Sequence, residues 1–269
     1  MTKTGGGFII KTQFLPKWWD LGVDMKNRIP EGHWLITRAV AHRGYHKAGV
    51  PENSILAFER AMAHGYPIET DVQMTADGVL VCFHDDTLNR MTGVDKKIWD
   101  VVFAELKELK LSDSDEGIPT FAELLALVGG KVPLLIELKT QPKNQEVCDK
   151  VIELLADYEG EFAIQSFDPR VMSMVKKANP SILRGQLLER GARHENLSPI
   201  VDKMLSNGLL NVLSKPDFIN ANWSALPLPK RMTRGKRVLC WTVRSEEEEQ
   251  KALPYVQGYV FENINPKLK

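Results

Sequence analysis

Six residues carry enough chemistry to begin from: His42, Arg43, Glu69, Asp71, His84 and Glu137. Glu69 and Asp71 stand two apart, so on a strand they share one face, and Glu137-Leu138-Lys139 repeats that alternation. Three carboxylates without a cysteine suit a hard divalent cation, calcium or magnesium, better than zinc. Gathered without a cation, they would repel one another strongly. Such an ion, with Arg43 and Lys139, can hold a phosphate and stabilise charge developing on its oxygens. His42 and His84 beside it suit an acid–base pair. One takes a proton from the attacking hydroxyl and the other gives one to the departing alkoxide. The residue types leave open which does which. Glu52 reads either as a group touching the metal or phosphate, or as one favouring the start of the helix after it. Trp241 reads either as a wall of the site or as plain core.

That chemistry needs the residues in one place, and the apolar pattern supplies the frame. Eight short apolar runs alternate with helical patterns: Ala39–His42, Pro67–Asp71, Val132–Leu138, Phe162–Ser166, Ile182–Leu188, Leu209–Leu213, Val238–Val243 and Gly258–Phe261. Most are apolar throughout, as strands buried on both faces should be. The expectation is an α/β fold, a (β/α)8 barrel of the TIM type, whose polar residues collect at the C-terminal strand ends. Residues 39–269 form that barrel, with a small insertion after the second strand, residues 72–118, at its mouth. Residues 1–38, with Trp18, Trp19 and Trp34, read as an N-terminal extension that packs on the barrel as side cover or floor.

Local signals place the ends of the elements. Asn53 or Ser54 caps a helix reaching about His64, Thr120 and Glu123 form a capping box, and Ser245 starts the helix before the last strand. Glu246–Glu249 reads as the solvated first turn of that helix. Asp77-Gly78 between two apolar runs predicts a hairpin turn. Centred between Ala76 and Asp77, it makes Glu69 and His84 equidistant and returns His84 to the level of Glu69. His33, His46, His64 and His194 carry no companion signal and read as uninformative surface positions.

Composition excludes several partners. Lysine plus arginine equals aspartate plus glutamate, 35 each, so no global field draws the chain to nucleic acid or to an anionic membrane. Three widely spaced cysteines fit buried free thiols and a reducing, cytoplasmic compartment. Phe8-Ile9-Ile10 is too short for a signal peptide, and no run approaches the roughly 18 apolar residues of a stable membrane insertion.

The motifs Ala41-His42-Arg43-Gly44, Pro51-Glu52-Asn53-Ser54, Glu69-Thr70-Asp71-Val72, Thr75-Ala76-Asp77-Gly78 and His84 through Gly93 resemble, in order and spacing, the glycerophosphodiester phosphodiesterase family. Glu137-Leu138-Lys139, Ser166-Phe167-Asp168 and Trp241-Thr242-Val243 continue the likeness, which covers roughly residues 39–262. The resemblance implies a barrel that hydrolyses glycerophosphodiesters to glycerol 3-phosphate and an alcohol. It implies Glu69, Asp71 and Glu137 as ligands of calcium or magnesium, His42 and His84 as the acid–base pair, and Arg43 and Lys139 on the phosphate. The last strand departs from the pattern, reading Gly258-Tyr259-Val260-Phe261-Glu262-Asn263 where the family usually has a Thr-Asp pair.

Three other readings compete. Lysophospholipid cleavage of the phospholipase D type needs an apolar landing surface, which Ile98, Trp99, Val102 and Phe103 could form. The plainer account packs Val102, Leu106 and Leu109 against the barrel. A metal-dependent sugar isomerase leaves Arg43 and Lys139 unexplained. A non-catalytic binding barrel leaves the intact histidine and carboxylate set unexplained.

Overall fold

The computed structural model describes residues 28–189 and 209–268. Trp18, Trp19, Phe8-Ile9-Ile10 and His194 lie outside them. Among the described residues nine strands run in chain order: β1 Val40–Ala41, β2 Ile68–Met74, β3 Leu80–Cys82, β4 Leu134–Leu138, β5 Phe162–Ser166, β6 Arg184–Leu188, β7 Phe218–Asn222, β8 Arg237–Val243 and β9 Gly258–Phe261. All but β3 pair in parallel, and β1 joins both β9 and β2, so eight strands close into the expected barrel. Right-handed helical crossovers are the only short way to join parallel neighbours, which is why helices alternate with these strands.

The predicted helix ends hold. Ser54 accepts from the Ala57 amide at 3.1 Å and starts Ile55–Ala63. Thr120 and Glu123 form the capping box of Phe121–Val128. One strand moves. Leu209–Leu213 is not a strand, and Asn211–Ser214 is a short helix whose Val212 and Leu213 are exposed. The strand is β7, hidden in the sequence by its polar residues. Asn220 points into the barrel and donates to Gln165 Oε1 at 2.9 Å, so polar pairing replaces apolar burial there.

Glu246–Glu249 also needs correction. Ser245 does cap the helix Glu246–Ala252, but Glu249 is fully buried. It accepts from the Tyr259 hydroxyl and from the Lys267 amide, tying the C-terminal tail to β9. The three cysteines are buried free thiols, and burial pushes Cys82 up to about 12. Within the insertion, Ile98 and Leu106 are fully buried in a small apolar cluster of its own, with Val81, Phe83 and Met91, while Val102 is exposed. Among the described residues no helix is long and apolar enough to cross a membrane.

The floor is closed by the segment before β1. Trp34, Leu35 and Ile36 are buried against Val40, Leu135, Ala163, Phe218, Leu239 and Val260, the lower interior of the barrel. The fit is close enough that a β-carbon at Gly258 would collide with the Leu35 carbonyl. Arg28 anchors the segment, reaching Asp217 and the Pro180 carbonyl. His33 caps the short helix Trp34–Thr37, its Nδ1 accepting from the Leu35 amide at 3.2 Å. A proton on that nitrogen would abolish the cap, and burial already pulls the ring from 6.5 down to about 4. The folded state therefore binds this proton less well than the unfolded chain, and stability falls as pH drops from 6.5 toward 4. Urea unfolding of His33→Asn, which keeps a capping side chain without the titration, should lose less stability than the parent across that window. Parallel losses would contradict the role of His33.

Candidate active site

The rim at the C-terminal strand ends is built by register. Asp71 on β2 lies beside Glu137 on β4, and Glu69 is one step below on the same face. Neighbouring strands stand only about 4.8 Å apart, so inward carboxylates there cannot avoid one another. Glu69, Asp71 and Glu137 are all buried, with ligand oxygens within 4.8 Å of one another. Two cations answer them. Lys139 Nζ lies 3.0 Å from Asp71 Oδ1 and 2.7 Å from Glu137 Oε1. Arg43 Nε is 3.4 Å from Asp71 Oδ2, and its amide donates to Glu69 Oε2 at 2.9 Å.

The protonation balance follows from this packing. Burial pushes Glu69 well above the usual carboxylate range, and the charges of Asp71 and Glu137 push it further. Burial also works against ionised Asp71, but Lys139, His84 and Arg43 outweigh it and hold that carboxyl far below its ordinary value. Lys139 is buried too, and the two carboxylates it touches keep it charged. Three oxygen donors, one of them resisting ionisation, are a donor set that fits a hard divalent cation.

Asn53 braces the acidic group from behind. It donates to Asp71 Oδ2 at 2.9 Å and accepts from the Thr70 hydroxyl at 2.8 Å. Asn53 and Arg43 both have positive φ, 52° and 53°, in the left-handed region. Asparagine tolerates this well, and the turn lets the chain fold back so that the Asn53 amide meets the Arg43 carbonyl at 2.9 Å.

His42 stands one residue beyond β1. Its Nε2 faces Glu69 Oε2 at 4.0 Å, and its Nδ1 is hydrogen-bonded to Glu262. Burial pulls its pKa down to about 4, against the pull of Glu262. His84 comes off the rim on the hairpin, as expected, and not from a barrel strand. The hairpin register is one residue from the expected one, since Val72 pairs with Cys82 and Met74 with Leu80. The cause is a three-residue turn, closed by the Thr75 amide on the Val79 carbonyl at 2.9 Å, with Gly78 at φ 85°. His84 is therefore not opposite Glu69 but reaches the site past Phe83, whose amide donates to the Asp71 carbonyl. Gln73 fixes this exit by donating to the carbonyls of Phe83 and Asp85, at 2.9 and 2.8 Å.

A charged chain links the two histidine loops. Arg43 holds Glu52 at 2.6 Å, Glu52 holds Arg90 at 2.6 Å, Arg90 holds Asp85 at 2.5 Å, and Asp85 meets His84 Nδ1 at 2.6 Å. Glu52 is thus on the arginines and outside the carboxylate group. Trp241 stands two residues above Leu239 on β8, partly buried, with its ring edge-on to Phe167 at 5.6 Å. His46, read as surface, has Nε2 at 3.6 Å from Glu262 Oε1. Glu262, Asp85, Arg90 and Asn53 escaped the residue-type reading. For Glu262 the signal was the β1–β9 register, which sequence alone does not print.

Residues 42–258 match the model of the glycerophosphoryl diester phosphodiesterase family. The chain belongs to that family, whose members are phosphoric diester hydrolases. A glycerophosphodiester phosphodiesterase of Caldanaerobacter subterraneus subsp. tengcongensis is 38% identical over 171 residues, 58% of this chain and 69% of that one. A putative glycerophosphoryl diester phosphodiesterase from Silicibacter pomeroyi shares the fold with a TM-score of 0.70, at 23% identity, covering 86% of this chain and 91% of its own. A phosphodiesterase of Oleispira antarctica, solved with the product sn-glycerol-3-phosphate, matches with a TM-score of 0.69, at 23% identity, over 84% of this chain and 93% of its own.

The packing around Lys139 makes a stability prediction. Lys139→Met removes one of two cations from a buried acidic group, and an uncompensated buried charge costs about 3–5 kcal/mol. Urea unfolding in chelator should show a loss of that order, largely recovered by a millimolar divalent cation. An unchanged midpoint in chelator would contradict the charge balance described.

Proposed function

We propose that this chain hydrolyses glycerophosphodiesters to glycerol 3-phosphate and an alcohol, with a divalent cation, calcium or magnesium, held by Glu69, Asp71 and Glu137. The observation that carries the reading is the buried carboxylate trio faced by Arg43 and Lys139. Taken as ionised, three carboxylates against two cations leave −1, with Glu52 and Arg90 cancelling. A divalent cation turns the balance to +1, which complements a singly charged phosphodiester. When bound, it supplies Lewis-acid charge at the phosphoryl oxygens. Arg43 and Lys139 orient the phosphate and meet charge developing on its equatorial oxygens.

His42 and His84 move the protons. Each has its Nδ1 tied to a carboxylate, Glu262 or Asp85, which leaves Nε2 for the reaction. One removes the proton of the attacking hydroxyl and the other protonates the leaving alkoxide. Such transfers are worth about 10²–10⁴-fold each. Trp241 and Phe167 offer a partly apolar wall for the organic half of the diester. Glu52 acts on the phosphate through Arg43. The glycerol 3-phosphate complex of the Oleispira antarctica relative supports the substrate class.

Release of glycerol 3-phosphate from glycerophosphocholine should vanish in EDTA, return with calcium or magnesium, and be lost in Glu69→Ala. Full activity in EDTA would remove the metal from the account. Because the two histidines need opposite protonation states, the rate should fall on both sides of an optimum. A flat profile between about pH 5 and 9 would contradict the pairing.

A further inference from the structure

Glu262 is one residue past the end of β9 and stands among His42, His46 and Arg244. The parallel register explains its position. Val40 lies beside Val260 and Ala41 beside Phe261, so the next pair is His42 and Glu262. Backbone bonds fix both: the His42 amide donates to the Phe261 carbonyl at 3.0 Å, and the Glu262 amide to the Val243 carbonyl at 3.0 Å. Glu262 Oε1 takes the hydrogen bond with His42 Nδ1 and lies 3.6 Å from His46 Nε2. Oε2 accepts from Arg244 Nε at 2.7 Å. His42 Nε2 is left facing Glu69 and the acidic group.

Resting on the hydrolase reading above, we propose that Glu262 is a positioning residue that fixes the tautomer and orientation of His42, with Arg244 holding Glu262 in place. A neutral imidazole has one N–H. A carboxylate has no proton to give and accepts that N–H at Nδ1, so the lone pair is at Nε2, on the side of Glu69 and the acidic group. In its neutral form His42 accepts the proton of an O–H at Nε2. In its cationic form it returns that same proton to a departing oxygen. The Nδ1 proton stays on the ring throughout, and no proton passes to Glu262. The donor atoms of His42, His46 and Glu262 lie within 4.8 Å and could in principle hold an ion. Arg244 already serves as the cation of Glu262, so the group acts as a hydrogen-bonded brace.

Glu262→Gln tests this, because an amide can donate to Nδ1 and turn the ring to the wrong tautomer. The expected result is a fall in kcat of roughly 10²-fold or more, with KM changed by less than about threefold. Glu262→Asp, which restores a carboxylate acceptor, should recover at least about tenfold over the glutamine variant. A glutamine variant with kcat within about threefold of the parent, or an aspartate variant no better than glutamine, overturns the proposal. If both variants fail to fold, nitrogen-15 NMR of the histidine rings in the intact parent decides. Neutral His42 protonated at Nδ1 supports the proposal and neutral His42 protonated at Nε2 overturns it. A parent that releases no glycerol 3-phosphate refutes the hydrolase reading instead, and the ring spectrum still reports the tautomer separately.

Discussion

Three carboxylates forced into one buried space are the constraint around which this barrel is organised. Strand spacing and register bring Asp71 and Glu137 side by side, and Glu69 follows because it shares their face. Like charges so placed, away from water, oppose their own ionisation. The surroundings respond in kind. Lys139 bridges two of the three, Arg43 touches Asp71 and Glu69, and Asn53 gives Asp71 a neutral donor. Burial first, and then the charges of Asp71 and Glu137, still hold the Glu69 carboxyl well above its ordinary range, a strain that Arg43 only partly relieves. A divalent cation is the simplest group that answers it.

Stability and function meet at the two ends of the barrel. The lower interior is apolar and sealed by Trp34, Leu35 and Ile36, so the strands are held without help from the rim. That leaves the upper layer free to be polar. Each histidine then receives a carboxylate, and each carboxylate an arginine: His42, Glu262 and Arg244 on one side, His84, Asp85 and Arg90 on the other. The parallel is chemical, not topological. Glu262 comes from the strand register, whereas Asp85 is simply the next residue along a half-buried loop.

Much of this was legible in the sequence. The seven apolar strands, the caps at Ser54, Thr120 and Ser245, and the gathering of His42, Arg43, Glu69, Asp71, Glu137 and Lys139 follow from periodicity and from polar residues at strand ends. The failures have physical causes. β7 carries no apolar signature because Asn220 pairs with Gln165 inside the barrel, so a buried strand reads as polar. Its substitute, Leu209–Leu213, is apolar yet exposed. The hairpin register differs by one residue from the one its Asp-Gly turn predicts, because Gly78 allows a three-residue turn. His46 and Glu262 were invisible as partners because their meeting depends on strands distant in sequence. Glu249, in a run of four glutamates, was indistinguishable from its solvated neighbours until Tyr259 and the C-terminal tail closed over it.

The central claim is that the carboxylate trio and the two cations beside it form one site for a metal and a phosphate. The most direct test is a crystal structure of the protein grown with calcium and glycerol 3-phosphate. One cation is expected on Glu69, Asp71 and Glu137, with the phosphate beside it and in contact with Arg43 and Lys139. A cation bound elsewhere, or a phosphate seated away from these residues, would contradict it.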